Sequence, residues 1–271
     1  MERSLWTAAT GMIGQQTNVD TIANNLSNVN TTGYKTQVNE FKSLLYQTLQ
    51  TRTTSANGER KPSSAQVGLG VRNAAITPIF TNGPMLSNDR NTAFAISGKG
   101  FFAVRGDDGN TYYTRNGNFQ WTIATNGTML SDSEGNPVLD TQNRPIILSN
   151  QYDPTQVSVT ADGTVCYPDA QNNPQSLGIT IGLYQFTNPA GLERKDSSLY
   201  QESAASGRPI NEATSATVEK SSVLQNFLEG SNVQIVDEMV NMIVAQRAYE
   251  INSKAIIASD EMLQQANNLR G

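Results

Sequence analysis

The sequence predicts an α+β protein in which long N- and C-terminal helices pair as a coiled-coil-like module, with an all-β domain and an extended polar arm placed between them. Three observations carry this expectation. Apolar residues recur at heptad spacing at both ends of the chain, turn dipeptides punctuate short β-prone runs through the middle, and a polar stretch separates the first helix from those runs. The expected organisation is a terminal helical module of residues 1–35 with 228–271, an arm over 36–66, and an all-β domain over 67–227.

At the N-terminus, Leu5, Met12, Val19 and Leu26 fall seven apart, Ala8, Ile22 and Val29 follow at three-residue offsets, and Gln15 interrupts the second row. One narrow face is therefore apolar and asks for a partner helix. Asn28, Asn30 and Gly33 tolerate positive φ, so the first helix is expected to end near Gly33. Gln47–Gln66 is built from Thr, Ser, Gln, Asn and Gly, contains Pro62, and reads as an extended arm.

From Val67 to about Leu199 the turn signals are Asn82-Gly83, Asp108-Gly109, Asn116-Gly117, Asn126-Gly127, Glu134-Gly135 and Asp162-Gly163. Such spacing belongs to short antiparallel strands. Thr111–Thr114, Phe119–Ile123 and Thr128–Leu130 read as consecutive hairpins, with Phe119 and Trp121 as core aromatics. The last element has Leu228, Ile235, Met242, Tyr249, Ile256 and Leu263 seven apart, flanked by Val236, Met239, Ile243 and Ile257. With Ser231 as its cap and Asn268 as its end, this helix would run about 57 Å at ~1.5 Å per residue. A β domain of this size cannot cover a stripe of that length, so association with further copies is expected. The candidate interface positions are Leu5, Met12, Val19, Ile22 and Leu26 on the first helix, and Ile235, Met239, Met242, Ile243, Tyr249, Ile256 and Leu263 on the second.

Composition narrows the function. In 271 residues only 16% are charged, the net charge is −5, and no basic stripe exists, which excludes electrostatic binding to nucleic acid. Histidine is absent, so the commonest general base and metal ligand are missing; no cofactor, metal or small-molecule substrate is expected, and no catalysis. Cys166 is the single cysteine, which precludes an intrachain disulfide, and it reads as a buried thiol. Met1–Gly14 lacks the apolar run of a secretory signal or a membrane span. Gly68-Leu69-Gly70 and Gly98-Lys99-Gly100 do not open helices and so read as turn or bulge glycines, not phosphate loops. Asp107-Asp108 and Asp132 with Glu134 read as solvated turns, and the sequons at Asn25 and Asn30 are too short to carry weight. Glu250 and Lys254 stand in the favourable order for a helical ion pair. Two other classes compete. A hydrolase on the β domain would lack histidine and a convergent carboxylate pair; a secreted carbohydrate-binding module would leave the terminal heptads unexplained.

The run Ala23-Asn24-Asn25-Leu26-Ser27-Asn28-Val29-Asn30-Thr31-Thr32-Gly33-Tyr34-Lys35 closely resembles the N-terminal signature of the flagellar rod and hook axial proteins. Ser231-Asn232-Val233, Glu238-Met239-Val240 and Gln246-Arg247-Ala248-Tyr249-Glu250 with Lys254 resemble the matching C-terminal signature. Phe94–Phe102 and Tyr113–Gly117 resemble β segments of the same family, with Ser97 where many members carry Asp, so the likeness spans the chain. Chain length, the Gln47–Gln66 segment and the run Asn241–Ile256 are similar to the distal-rod branch, with proximal rod and hook paralogues as rivals. The resemblance implies a structural subunit of the flagellar basal body, exported by the type III apparatus to the periplasm or cell-wall region, that polymerises helically into a rigid hollow drive shaft. It implies copies of itself, proximal rod and hook proteins and the export apparatus as partners. Asn24, Asn25, Asn28, Gly33, Gln246 and Arg247 are its motif positions, the three asparagines fixing hydrogen bonds at a bend, while the arm would bridge neighbouring subunits.

Overall fold

The computed structural model describes residues 2–50, 65–124, 127–169, 171, 173–195 and 198–268; residues 51–64 of the expected arm lie outside them. The fold is mixed α+β. Helix α1 spans Glu2–Ser27 and α2 spans Ile235–Asn268. Between them run β1 (Gln37–Ser43), β2 (Tyr46–Gln50), β3 (Ala65–Gly68), β4 (Val71–Pro78), β5 (Met85–Ser87), β6 (Phe94–Ser97), β7 (Phe101–Arg105), β8 (Thr111–Thr114), β9 (Gln120–Ala124) and β10 (Gly127–Ser131). There follow β11 (Ile147–Leu148), β12 (Ser158–Val159), β13 (Thr164–Pro168), β14 (Pro174–Thr180), β15 (Leu183–Gln185), β16 (Glu193–Arg194), β17 (Leu199–Gln201), β18 (Ile210–Asn211), β19 (Ser222–Gln225) and β20 (Phe227–Glu229).

The chain divides into two compact units. The first holds Met1–Ser27, Gln37–Thr77 and Gln234–Gly271; the second holds Asn28–Thr36 and Pro78–Val233.

In the first unit, α1 contains no proline, and its Thr17, Thr21 and Ser27 hydroxyls donate back to the carbonyls of Ile13, Thr17 and Ala23 at 2.8–3.1 Å. These bonds satisfy the hydroxyls without breaking the helix. The helix stops at Ser27, six residues before Gly33, because Asn28–Thr36 belongs to the second unit and starts with a turn closed by the Thr31 amide on the Asn28 carbonyl. Helix α2 begins later than Ser231, whose hydroxyl accepts from the Val233 amide and forms a local turn instead of a cap. Asp237 and Glu238 occupy the first turn, where the helix dipole favours negative charge. Its 34 residues give a length of about 51 Å. Strands β1 and β4 pair, and β2 and β3 form an antiparallel ladder from Tyr46↔Gly68 to Gln50↔Ala65 with a bulge past Thr48. The flanks of the arm are therefore a strand pair.

The second unit is built on a six-stranded sheet in the order β16-β17-β8-β7-β15-β18, accompanied by the sheets β11-β10-β9 and β12-β13-β14. Strand β7 shows how the core is divided. Phe102 and Val104 enter a cluster with Phe94, Ile96, Phe119 and Ile181, whereas Phe101 and Ala103 point the other way, onto Tyr113, Tyr184, Phe186 and Tyr200. Alternation along a strand buried on both faces produces this split. The Asp108-Gly109 signal closes β7 onto β8, with Gly109 at φ 77° and the Asn110 amide on Asp108 Oδ1. Strands β9 and β10 pair as expected, and Phe119 is fully buried with Trp121 against the same cluster. Strand β8 pairs with β7 and β17, not with β9, so the hairpins are not consecutive. Cys166 lies buried in β13 opposite Ser158.

Candidate assembly surface

Within the first unit α1 and α2 run antiparallel in a fixed register. The Ser4 and Ser259 hydroxyls meet at 3.2 Å, a Cβ on Gly11 would stand 2.9 Å from Asn252 Nδ2, and Asn25 Nδ2 donates to Glu238 Oε2 at 3.3 Å. Each pair lies one or two heptads further down one helix and up the other, which puts Asn18 opposite the fully buried Ala245. Small and polar side chains thus occupy the line of closest approach, where a bulky residue would push the backbones apart. Asn25 also receives the Gln37 amide on Oδ1 at 2.9 Å and donates to the Gln37 carbonyl at 2.8 Å, tying the start of β1 to α1.

The apolar heptads flank that line. Ile22 is buried; Leu5, Met12, Val19 and Leu26 on α1 and Met242, Ile256 and Leu263 on α2 are half-buried. Ile235, Met239, Ile243 and Tyr249 are exposed, Ile243 by 56%, and they are joined by Val236, Val240, Val244 and Ile251 on α2 and by Trp6 and Ile13 on α1. An exposed apolar row of that length is unusual for a surface helix. Gln16, Val19, Gln246, Tyr249 and Glu250 line an open groove of about 400 Å³ along the two helices. The motif residues Gln246 and Arg247 are exposed, and Arg247 pairs with Glu250 at 2.8 Å. Asn24 is exposed, and Asn28 is half-buried with its Oδ1 accepting from the Thr31 hydroxyl. Among the described residues, no helix is long and apolar enough to cross a membrane.

In the second unit the signature residues converge on a buried carboxylate that sequence reasoning missed. Lys35 Nζ lies 2.6 Å from Glu229 Oε1 and Arg115 Nη1 lies 3.3 Å from Oε2, with all three side chains at most 1% exposed. The Gly83 amide adds a third donor on Oε1 at 3.0 Å, and the Gly33 amide donates to the Glu229 carbonyl at 2.8 Å. Lys35 also donates to the Thr81 carbonyl, Arg115 to the Gly98 carbonyl, and the Arg115 guanidinium sits 5.1 Å above the Phe101 ring. Burial lowers the Lys35 and Arg115 pKa values from their ordinary positions, and the Glu229 carboxylate opposes both shifts. Gly33 sits at φ 69°, with an added Cβ only 2.6 Å from the Asn116 amide nitrogen. Next to it, the Thr36 amide and hydroxyl both reach Asn232 Oδ1, at 2.7 and 2.8 Å. The signal that could have exposed this cluster is the presence of lone charges at Lys35, Arg115 and Glu229, each within two residues of a glycine, in a chain poor in charge.

Three family profiles match the chain: "Flagella basal body rod protein" over residues 5–35, "Flagellar hook protein FlgE/F/G D1 domain" over 95–167, and "Flagellar basal body rod FlgEFG protein C-terminal" over 224–269. The chain is 45% identical over 272 residues to the flagellar basal-body rod protein FlgG of Borreliella burgdorferi, covering 100% of this chain and 99% of that one. With Bacillus subtilis FlgG the identity is 36% over the full length of both chains, against 30%, also over both full lengths, with the hook-basal body complex protein FlhP of the same organism. The chain belongs to the FlgG family of flagellar basal-body rod proteins, and it is a structural subunit of the distal rod in the flagellar basal body and not an enzyme.

Proposed function

We propose that copies of this chain polymerise helically through the terminal helices, which pair as a coiled-coil-like module while the β domain is an insertion between them. The observation that carries this reading is the exposed apolar row on α2, from Val236 through Ile243 to Ile251. Such a row gains free energy when another surface covers it, and contacts that do not close on themselves extend into a filament. The positions proposed to form the contacts are Leu5, Met12, Val19, Ile22, Leu26, Ile235, Met239, Met242, Ile243, Tyr249, Ile256 and Leu263, with Asn24, Asn25, Asn28, Gly33, Gln246 and Arg247 shaping the helix ends and the groove. In the free subunit the helices order only partly, and assembly completes them. The subunits travel through the type III export apparatus, and the finished rod meets the proximal rod on one side and the hook on the other, in the periplasm or cell-wall region. The arm limits sliding between neighbours.

The test is assembly of Ile243→Asp and Val236→Asp followed by sedimentation and electron microscopy. Both residues face solvent in the subunit, so the circular dichroism of the monomer is expected to be unchanged while polymer is lost, because a charge would enter an apolar contact. Normal polymer from both variants would remove the apolar row from the assembly contacts.

A further inference from the structure

We infer that Glu229 is the positioning residue that locks the segment after α1, Asn28–Thr36, and the segment before α2, Glu229–Val233, into the fold of the second unit, so that both stay ordered in the free subunit. That they stay ordered while α1 and α2 await their partners rests on the assembly-coupled ordering proposed above.

The carboxylate is the meeting point of four stretches of chain. Its Oε1 receives Lys35 at 2.6 Å and the Gly83 amide at 3.0 Å, its Oε2 receives Arg115, and the carbonyl of the same residue receives the Gly33 amide. Two buried cations share one buried anion, and Arg115 Nε has no hydrogen-bond partner among the described residues. Without the carboxylate both cations would be left uncompensated out of water, a far larger loss than the pair itself contributes. Lys35 can regain water only if its segment leaves the unit, so the docking of Asn28–Thr36 and the Glu229 charge are coupled. A second tie is independent of charge. Asn232 accepts from the Thr36 amide and hydroxyl and donates to the Ile79 carbonyl and the Thr81 hydroxyl, each at 2.9 Å. The terminal helices of the first unit hold together differently, through small side chains and a 3.3 Å contact of Asn25 with Glu238, and they leave much of their apolar surface exposed. Their exposed apolar faces place them toward the low-stability end of the molecule. The order boundary of the free subunit is therefore set at residues 27/28 and 233/234 by the clamp.

Hydrogen exchange with mass-spectrometric readout on the full-length monomer tests this, using β7 as internal reference. The reporting amides are Gly33, which donates to the Glu229 carbonyl, and Thr36, which donates to Asn232. In the native chain residues 28–36 are expected to exchange at least tenfold more slowly than residues 5–26. Lys35→Met leaves a neutral Arg115–Glu229 pair; it is expected to speed exchange over 28–36 at least tenfold and leave β7 unchanged. Glu229→Gln is expected to act more strongly, and if it does not fold, Asn232→Ala together with Lys35→Met carries the test. The inference is overturned if 28–36 exchanges like an unstructured chain in the native protein, or if Lys35→Met leaves its protection intact. Equal protection of 5–26 and β7 in the monomer would instead remove assembly-coupled helix ordering, and the clamp would still be judged on the Lys35→Met result.

Discussion

Gly33 shows how one residue type can be dictated by its neighbours. Its φ of 69° costs any residue with a Cβ about 1–2 kcal/mol. The added carbon would also lie 2.6–2.8 Å from backbone atoms of Arg115 and Asn116, which cannot swing aside as a side chain could. Gly33→Ala is therefore expected to destabilise the second unit by more than the conformational term alone, seen as a lower urea midpoint with an unchanged slope. An unchanged midpoint would show that the 114–116 turn yields freely. Gly11 is the contrasting case. Its would-be Cβ meets only the Asn252 side chain, at 2.9–3.2 Å, and φ is not positive, so Gly11→Ala is expected to cost less than about 1 kcal/mol as the amide rotates away. Glu229 lies at the other extreme, with three donors on one carboxylate in a fully buried setting.

At the scale of elements, the distinction between Met242 and Ile243 separates two kinds of contact. Met242 is half-buried on the side of α2 that faces α1, whereas Ile243 is 56% exposed. Met242→Asp is expected to loosen the helix pair of the monomer, lowering its helical signal, while Ile243→Asp is expected to spare the monomer and block assembly. Equal effects of both on the monomer would mean that α2 has no free apolar face. The two helices were legible in the sequence because a seven-residue apolar period is a local signal, and the strands because Asp-Gly and Asn-Gly steps mark their turns. The line of closest approach was not. Ser4, Gly11, Asn25, Glu238, Asn252 and Ser259 look like solvated positions until two helices are laid side by side, since interhelical distance is a property of the pair and not of either strip of sequence. The charge cluster was hidden for a related reason. Lys35 and Glu229 lie 194 residues apart, and Arg115 and Glu229 lie 114 apart, so neither pairing leaves a local pattern. Helix ends were misplaced where residues 28–36 and 231–233, which look like caps, are held by the second unit.

For the molecule as a whole, the chain passes between its two units four times, at 27/28, 36/37, 77/78 and 233/234. Alkaline pH offers a way to loosen the second unit selectively. Burial raises the pKa values of Tyr113, Tyr184 and Tyr200 above the ordinary 10.0, that of Tyr200 to about 12, and all three pack in the same cluster around Phe101 and Phe186. Above pH 10 the unfolded chain gives up these protons first, so the unfolded state binds fewer protons and stability falls as pH rises, by about 1.4 kcal/mol per pH unit for each proton displaced. Lys35 works in the opposite sense. Its folded pKa is lowered by burial, so the unfolded chain binds the extra proton between that value and 10.5, and stability rises with pH across that window. Beyond 10.5 the lysine contribution is spent and only the tyrosines remain. Urea midpoints of the second unit are therefore expected to hold or climb gently up to about pH 10 and to drop steeply above it. Lys35→Met is expected to abolish the climb and leave the drop, and Tyr200→Phe to make the drop shallower. A midpoint that stays level to pH 11.5 would show that water reaches these phenols in the folded protein, and the packing of the aromatic cluster would have to be looser than the fold requires.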